Sequence, residues 1–371
     1  MALFTDTEPD PVRPRRGGGW IGWILLAAAL IGVTVVALLP APYVIEQPGP
    51  VFDVLGDVQV DGEAVPMIQI PMEETFPTEG SLDMLTVNIR GNPDNLPTWL
   101  DIATAYFDPS RAILPVDTVY PPGTTVETSN EQSRIDMENS QKEAIAAAMT
   151  NLGYEVPSTL SVIETTPGGP AQDVLLPDDV IVSVNGEVPA DVTALRALIA
   201  DNGTDGPAEV VVDRAGEEQT FEITPTLSEG DNPAPIIGII VGSDYDFPFS
   251  VKIQLENVGG PSAGMMFALG IIDKLTEGPL NGGEVVAGTG TISSTGEVGP
   301  IGGIVQKMWG AVREGHADWF LAPAANCTEV VGNIPPGLTV FAVEDLDDAL
   351  TALAAIRSDG DTTGLPTCTA D

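Results

Sequence analysis

Gly259-Gly260-Pro261-Ser262-Ala263-Gly264 runs directly into the apolar stretch Met265 to Leu275, and its reading decides how the rest of the chain is understood. A serine among small residues at the start of a helix lies where backbone N–H groups lack intrahelical partners and the helix dipole favours negative charge. The N–H groups of Gly260, Ser262 and Ala263 are therefore candidate oxyanion donors. A serine hydroxyl needs a base to become a nucleophile. The chain has one histidine, His316, and four lysines, Lys142, Lys252, Lys274 and Lys307. His316 follows Glu314-Gly315 at a helix end, where a turn residue is expected. Lys307 stands in Gly302-Gly303-Ile304-Val305-Gln306-Lys307-Met308-Trp309-Gly310-Ala311. On a helical wheel Ile304, Val305, Met308, Trp309 and Val312 form the apolar stripe, and Lys307 falls off its edge beside Ala311. A lysine there faces either solvent or a cleft. In a poorly solvated cleft its proton affinity falls and it can act as a base.

The chain has 371 residues, 43% hydrophobic and 18% charged, which suits a globular protein of two domains. Its net charge of −40 excludes broad binding to nucleic acid or to anionic lipid through a basic face. Abundant glycine and proline (40 and 33) point to short strands and many turns, hence a mixed α+β protein. No G-x-x-x-x-G-K-[ST] occurs, so no nucleotide-driven motor is expected. Asp246, Glu256 and Glu284 are better explained as solvated acids than as metal ligands, and no cofactor is expected.

Residues 20–39 are uncharged, preceded by Arg13, Arg15 and Arg16. This pattern predicts a transmembrane anchor with residues 1–19 cytoplasmic and the catalytic region extracytoplasmic, a cleaved leader being the alternative. Cys327 and Cys368 would then lie on an oxidising side, where a disulfide is permitted and free thiols remain equally open.

Downstream, 43–60 and 80–90 read as extended, 93–122 as turn-rich, and 129–152 as a helix closed by Gly153. Strands are expected at 250–255, 284–292 and 319–323, and a closing helix at 345–356. In 160–227, Pro167-Gly168-Gly169-Pro170-Ala171, then Asp178-Asp179-Val180-Ile181-Val182-Ser183-Val184-Asn185-Gly186, then a helix at 192–200 follow in order. This order resembles a PDZ domain, with Asp178 where that family usually has glycine. The resemblance implies a unit at 156–228 that binds peptide segments by strand addition. Its carboxylate-binding loop is not recognisable in the sequence.

Gly-Pro-Ser-Ala-Gly, followed about forty-five residues later by Pro-Ile-Gly-Gly-x-x-x-Lys, resembles the proteolytic domain of the Lon family. The resemblance implies Ser262 as nucleophile, Lys307 as base, and Thr289 of Gly288-Thr289-Gly290-Thr291-Ile292 as the residue positioning the lysine. It also places Glu138-Asn139-Ser140 in the family's first helix and 82–89 in a strand before it. The PDZ-like unit is then inserted between a first Lon-like part, 43–155, and a catalytic part, 229–357, with a tail at 358–371. Gly259 departs from ATP-dependent members, which often carry aspartate there. The implied function is an ATP-independent, membrane-anchored serine endopeptidase acting on unfolded or flexible proteins, as a homo-oligomer. A catalytically silent PDZ-containing scaffold is the alternative.

Overall fold

The computed structural model describes residues 19–60, 62–121, 125–228, 233–255, 258–357 and 362–369. The elements used below, in chain order, begin with α1 (Gly19–Ala37), β1 (Tyr43–Asp53), β2 (Ser81–Arg90), α2 (Trp99–Tyr106), β3 (Ala112–Pro115) and α3 (Val126–Asn151). Next come β4 (Ser158–Thr165), β5 (Val180–Val184), α4 (Val192–Asn202), β6 (Ala208–Arg214), β7 (Glu217–Ile223) and β8 (Ile239–Tyr245). The chain closes with α5 (Gly264–Leu275), β9 (Val285–Gly288), α6 (Ile304–Gly310), β10 (Trp319–Pro323), β11 (Thr339–Val343) and α7 (Leu346–Arg357).

One sheet has six strands in the order β11-β10-β9-β2-β1-β3. β2, β9, β10 and β11 run parallel, β1 is added antiparallel to β2, and β3 antiparallel to β1 at the edge. Parallel strands are buried on both faces, and side chains alternate between them. Leu321, Phe341 and Val343 accordingly pack with α3, α5 and α7, whereas Phe320, Ala322 and Val340 pack with Ile304 and Met308 of α6. Gly264–Ile272 of α5 are apolar on every side and buried. Met265, Met266, Phe267, Leu269 and Ile271 are fully buried, each worth roughly 1.5–3 kcal/mol of transfer free energy.

A second sheet, antiparallel in the order β7-β6-β5-β4-β8, encloses its own core with α4. Its strands fall in sequence between β3 and β9 of the six-stranded sheet. Its fifth strand, β8, lies beyond residue 228, where the sequence reading ended this unit. Asp178 has φ +69°, the left-handed conformation that glycine would adopt without strain.

The expected transmembrane helix is corrected by the structure. No helix among the described residues is long and apolar enough to cross a membrane. α1 has 19 residues, about 28 Å at 1.5 Å per residue, against a hydrocarbon core of about 30 Å. The uncharged run outlasts the helix. Leu38 and Leu39 leave it in a turn, and Pro40 bridges to Thr98. A single-pass localisation with an extracytoplasmic catalytic region loses its basis with the anchor. Arg13, Arg15 and Arg16 lie outside the described residues.

Two further differences are local. The turn-rich 93–122 contains α2, closed at its start by a reciprocal Thr98–Asp101 capping box. The strand expected over 284–292 ends at Gly288 and resumes only as a Thr291–Ile292 pair with Val298–Gly299. Cys327 and Cys368 form a disulfide. It fastens the C-terminal segment beside β11, where the Ala342 N–H donates to the Pro366 carbonyl at 2.9 Å.

Candidate active site

Ser262 lies just before α5, in a loop held from two directions. α3 provides one hold: the Gly260 N–H donates to the Ser133 carbonyl at 2.8 Å, and Ser140 Oγ donates to the Pro261 carbonyl at 2.8 Å. The segment after β9 provides the other. The Gly290 N–H and Thr289 Oγ1 both donate to the Ser262 carbonyl, at 3.0 and 2.9 Å. The close approach of α3 also accounts for Gly259, since a Cβ there would stand 2.7 Å from Ser133 Cβ.

Lys307 comes from α6 on the opposite wall. Its Nζ donates to Ser262 Oγ at 2.7 Å and to Thr289 Oγ1 at 2.9 Å. The three expected side chains thus meet at one point. Lys307 is only 1% exposed, with Gln306 beside it also buried, while Val305 and Trp309 are partly exposed. Of the wheel's apolar stripe only Ile304 and Met308 are fully buried, and Lys307 is buried beside them. α6 packs Ile304, Lys307 and Met308 inward, followed by Ala311 just after it, because β1 and β2 cover that side.

Burial lowers the Lys307 pKa to about 7, with Glu46 opposing the fall. Glu46, on β1, is itself raised by burial, partly offset by Lys307 and reinforced by Glu329. Sequence reading missed Glu46, which sits far away in the chain and carries no motif. It also missed Ser133, and although it placed Ser140 on the family's first helix it missed the hold of both on the loop, which depends on the crossing of α3.

The oxyanion assignment needs one correction. The Gly260 N–H is committed to Ser133, so it is not free to receive an oxyanion. The Ser262 and Ala263 N–H groups make no hydrogen bond among the described residues, and they flank the nucleophile. His316 is exposed, has φ +53° and ends a π-turn after α6, outside the Ser262–Lys307 contact. Asp246 and Glu284 lie in separate connecting segments, just after β8 and just before β9, and Glu256 lies outside the described residues. A cleft of about 890 Å³ opens over the site, lined by Met84, Thr86, Asn88, Met137, Ser262 and Lys307 among others.

A serine and a desolvated lysine in hydrogen-bond contact beside such a cleft are the arrangement of a serine-type peptidase. Residues 257–355 match the family model of the Lon protease (S16) C-terminal proteolytic domain. Among curated proteins, Lon protease 2 of Herpetosiphon aurantiacus is 43% identical over 94 residues, 24% of this chain and 11% of that protein. Lon protease 2 of Bacillus subtilis is 35% identical over 112 residues, 29% of this chain and 19% of that one. The archaeal Lon protease of Thermococcus kodakarensis is 30% identical over 183 residues, 46% of this chain and 28% of that one. The chain thus matches only a minor part of each relative's length. Among solved structures, the PDZ domain of an SdrC-like protein from Listeria monocytogenes aligns with 22% of this chain and 85% of its own. That alignment has 20% identity and a TM-score of 0.21. Residues 257–355 are thus similar to the proteolytic domain of Lon-type serine peptidases.

Proposed function

We propose that this protein is an endopeptidase that needs no nucleotide and cleaves unfolded or flexible polypeptides with Ser262 as nucleophile and Lys307 as base. The observation that carries the reading is the 2.7 Å contact between Lys307 Nζ and Ser262 Oγ at a lysine shielded from water. Neutral Lys307 takes the hydroxyl proton as Ser262 Oγ attacks the peptide carbonyl, then returns it to the leaving amine. Thr289 accepts from Lys307 and anchors to the Ser262 carbonyl, fixing the lysine's direction. The Ser262 and Ala263 N–H groups receive the oxyanion, each such donor being worth about 3 kcal/mol in the transition state. Water then releases the acyl-enzyme.

The five-stranded unit is read as a PDZ-like peptide-recognition module inserted into the proteolytic domain. The fall of β4 to β8 between β3 and β9 supports this, together with the groove beside α4. The test is cleavage of an unfolded protein, without ATP, by wild type, Ser262→Ala and Lys307→Ala. Loss of cleavage in both variants with unchanged circular dichroism is the expected result. Activity retained by Lys307→Ala would remove the lysine from the mechanism.

A further inference from the structure

Glu46 borders the cleft as well as acting on Lys307. On β1 it stands opposite Ile89 of β2, and Pro48 stands opposite Val87, so Glu46, Val87 and Ile89 share one face of the sheet. The start of α6 lies on that face: a Cβ on Gly303 would stand 2.7 Å from both Glu46 Oε1 and Val87 Cγ1. The Glu46 carboxylate is half-buried and accepts no hydrogen bond among the described residues. Lys307 directs its hydrogen bonds to Ser262 and Thr289 instead. A carboxylate is thus held at the cleft without a partner.

β9 pairs with β2 only from Ser81 to Met84. Beyond Met84 that edge of β2 has no strand partner among the described residues, and Leu85, Val87 and Ile89 line the cleft together with Glu46. A polypeptide crossing the cleft along this edge would alternate its side chains between the two faces of the sheet. Neighbouring strands are about 4.8 Å apart, which puts Glu46 roughly 10 Å from such a chain. A short side chain on the Val87 face falls short of the carboxylate, whereas an extended lysine or arginine can lay its stem on Val87 and bring its head to Glu46. Among the described residues Glu46 is the only acid lining the cleft and Lys307 the only base. Lys307 works as the neutral amine, so Glu46 carries the one formal charge a substrate meets there. An apolar side chain of equal length would strip water from an unpaired carboxylate, and an acidic one would be repelled.

We propose that Glu46 is a specificity-determining residue: its carboxylate takes the cationic head of a lysine or arginine close to the scissile bond, so that cleavage falls at a fixed, short distance from a basic residue. Glu329 lies near enough to act on Glu46 and adds charge of the same sign. The net charge of −40 works in the same direction, drawing cationic segments toward the protein and repelling acidic ones. The proposal rests on the peptidase reading above and adds the class of side chain selected.

The test is digestion of a denatured, alkylated protein by the full chain, without ATP and at pH 8.5, with the cut sites mapped by mass spectrometry. Wild type is expected to show lysine or arginine at one fixed position relative to the cut. In a peptide built on such a site, lysine at that position should be favoured over norleucine by about tenfold in kcat/KM. Glu46→Gln should bring this ratio close to one, and because the ratio is taken within a single enzyme, any change at Lys307 cancels. Acetylating the substrate's lysines should abolish the cuts that lysine directs and spare those that arginine directs, an arm that needs no variant. Cuts placed without regard to basic residues, a ratio that survives Glu46→Gln, or lysine-directed cuts that survive acetylation would each overturn the subsite and leave the peptidase standing. Failure of wild type to cleave at all would remove the peptidase reading and this proposal together.

Discussion

Glu46 and Lys307 oppose each other's burial across the cleft: the carboxylate holds the lysine's proton affinity up, and the ammonium holds the carboxyl's down. Lys307 is nonetheless lowered to about 7, and the base form is the deprotonated one. kcat/KM should therefore rise with pH up to about 7 and level off above it. Glu46→Gln removes the opposing charge, so the rising limb should move to lower pH by about half a unit or more. Initial rates on a fluorogenic peptide between pH 5.5 and 9 check both statements, and a limb that stays put in Glu46→Gln would uncouple the pair.

Thr289 contacts both members of the dyad, receiving from Lys307 and donating to the Ser262 carbonyl. Thr289→Val keeps the shape and removes the hydroxyl. A fall of roughly 10- to 100-fold in kcat with little change in KM is expected, corresponding to one or two buried hydrogen bonds. Thr289→Ser should recover most of the loss. A valine variant with full kcat would reduce Thr289 to packing.

Glu143 of α3 is buried with Oε1 unpartnered, and burial with the nearby Asp191 raises its pKa to about 8. Between the ordinary value of 4.5 and about 8 the folded protein keeps a proton that the unfolded chain has released. The stability associated with this group is thus fully present below 4.5 and is lost as pH rises through that window. Glu143→Gln should match wild type near pH 5 and exceed it by several degrees in Tm near pH 9. Calorimetry at the two pH values decides, and parallel shifts at both would contradict the assignment.

The Cys327–Cys368 bridge links residues 41 apart, and loop-closure entropy for that separation is worth about 4 kcal/mol. Cys368→Ser should lower the urea midpoint, reducing agent should shift wild type by a similar amount, and the variant should not respond to it. Equal midpoints for all three would mean that the tail's contacts, not the bridge, hold it in place.

The serine, threonine and lysine were legible because each stands in a short pattern of small residues that survives without knowledge of the fold. The environment of the lysine was not. A helical wheel ranks Lys307 by its own helix, whereas its burial is decided by β1 and β2, more than two hundred residues earlier. β8 was missed for the same kind of reason: its partner β4 is distant, and nothing local marks Ile239–Tyr245 as the fifth strand of that sheet. α2 was a different failure, since its Thr98–Asp101 capping signal was present but outweighed by the surrounding prolines. The uncharged 20–39 run misled because composition reports hydrophobicity and says nothing of where the helix ends.

α3 carries Asn139 and Lys142 against β8, and on the same 26-residue helix Ser133 and Ser140 hold the backbone on either side of Gly260 and Pro261. Two ligands that each perturb one rigid element are reciprocally coupled by equal free energies. A covalent inhibitor seated on Ser262 that strains this helix would register as an altered dissociation constant at β8, and whatever occupies β8 would return the same factor in the inhibitor's affinity.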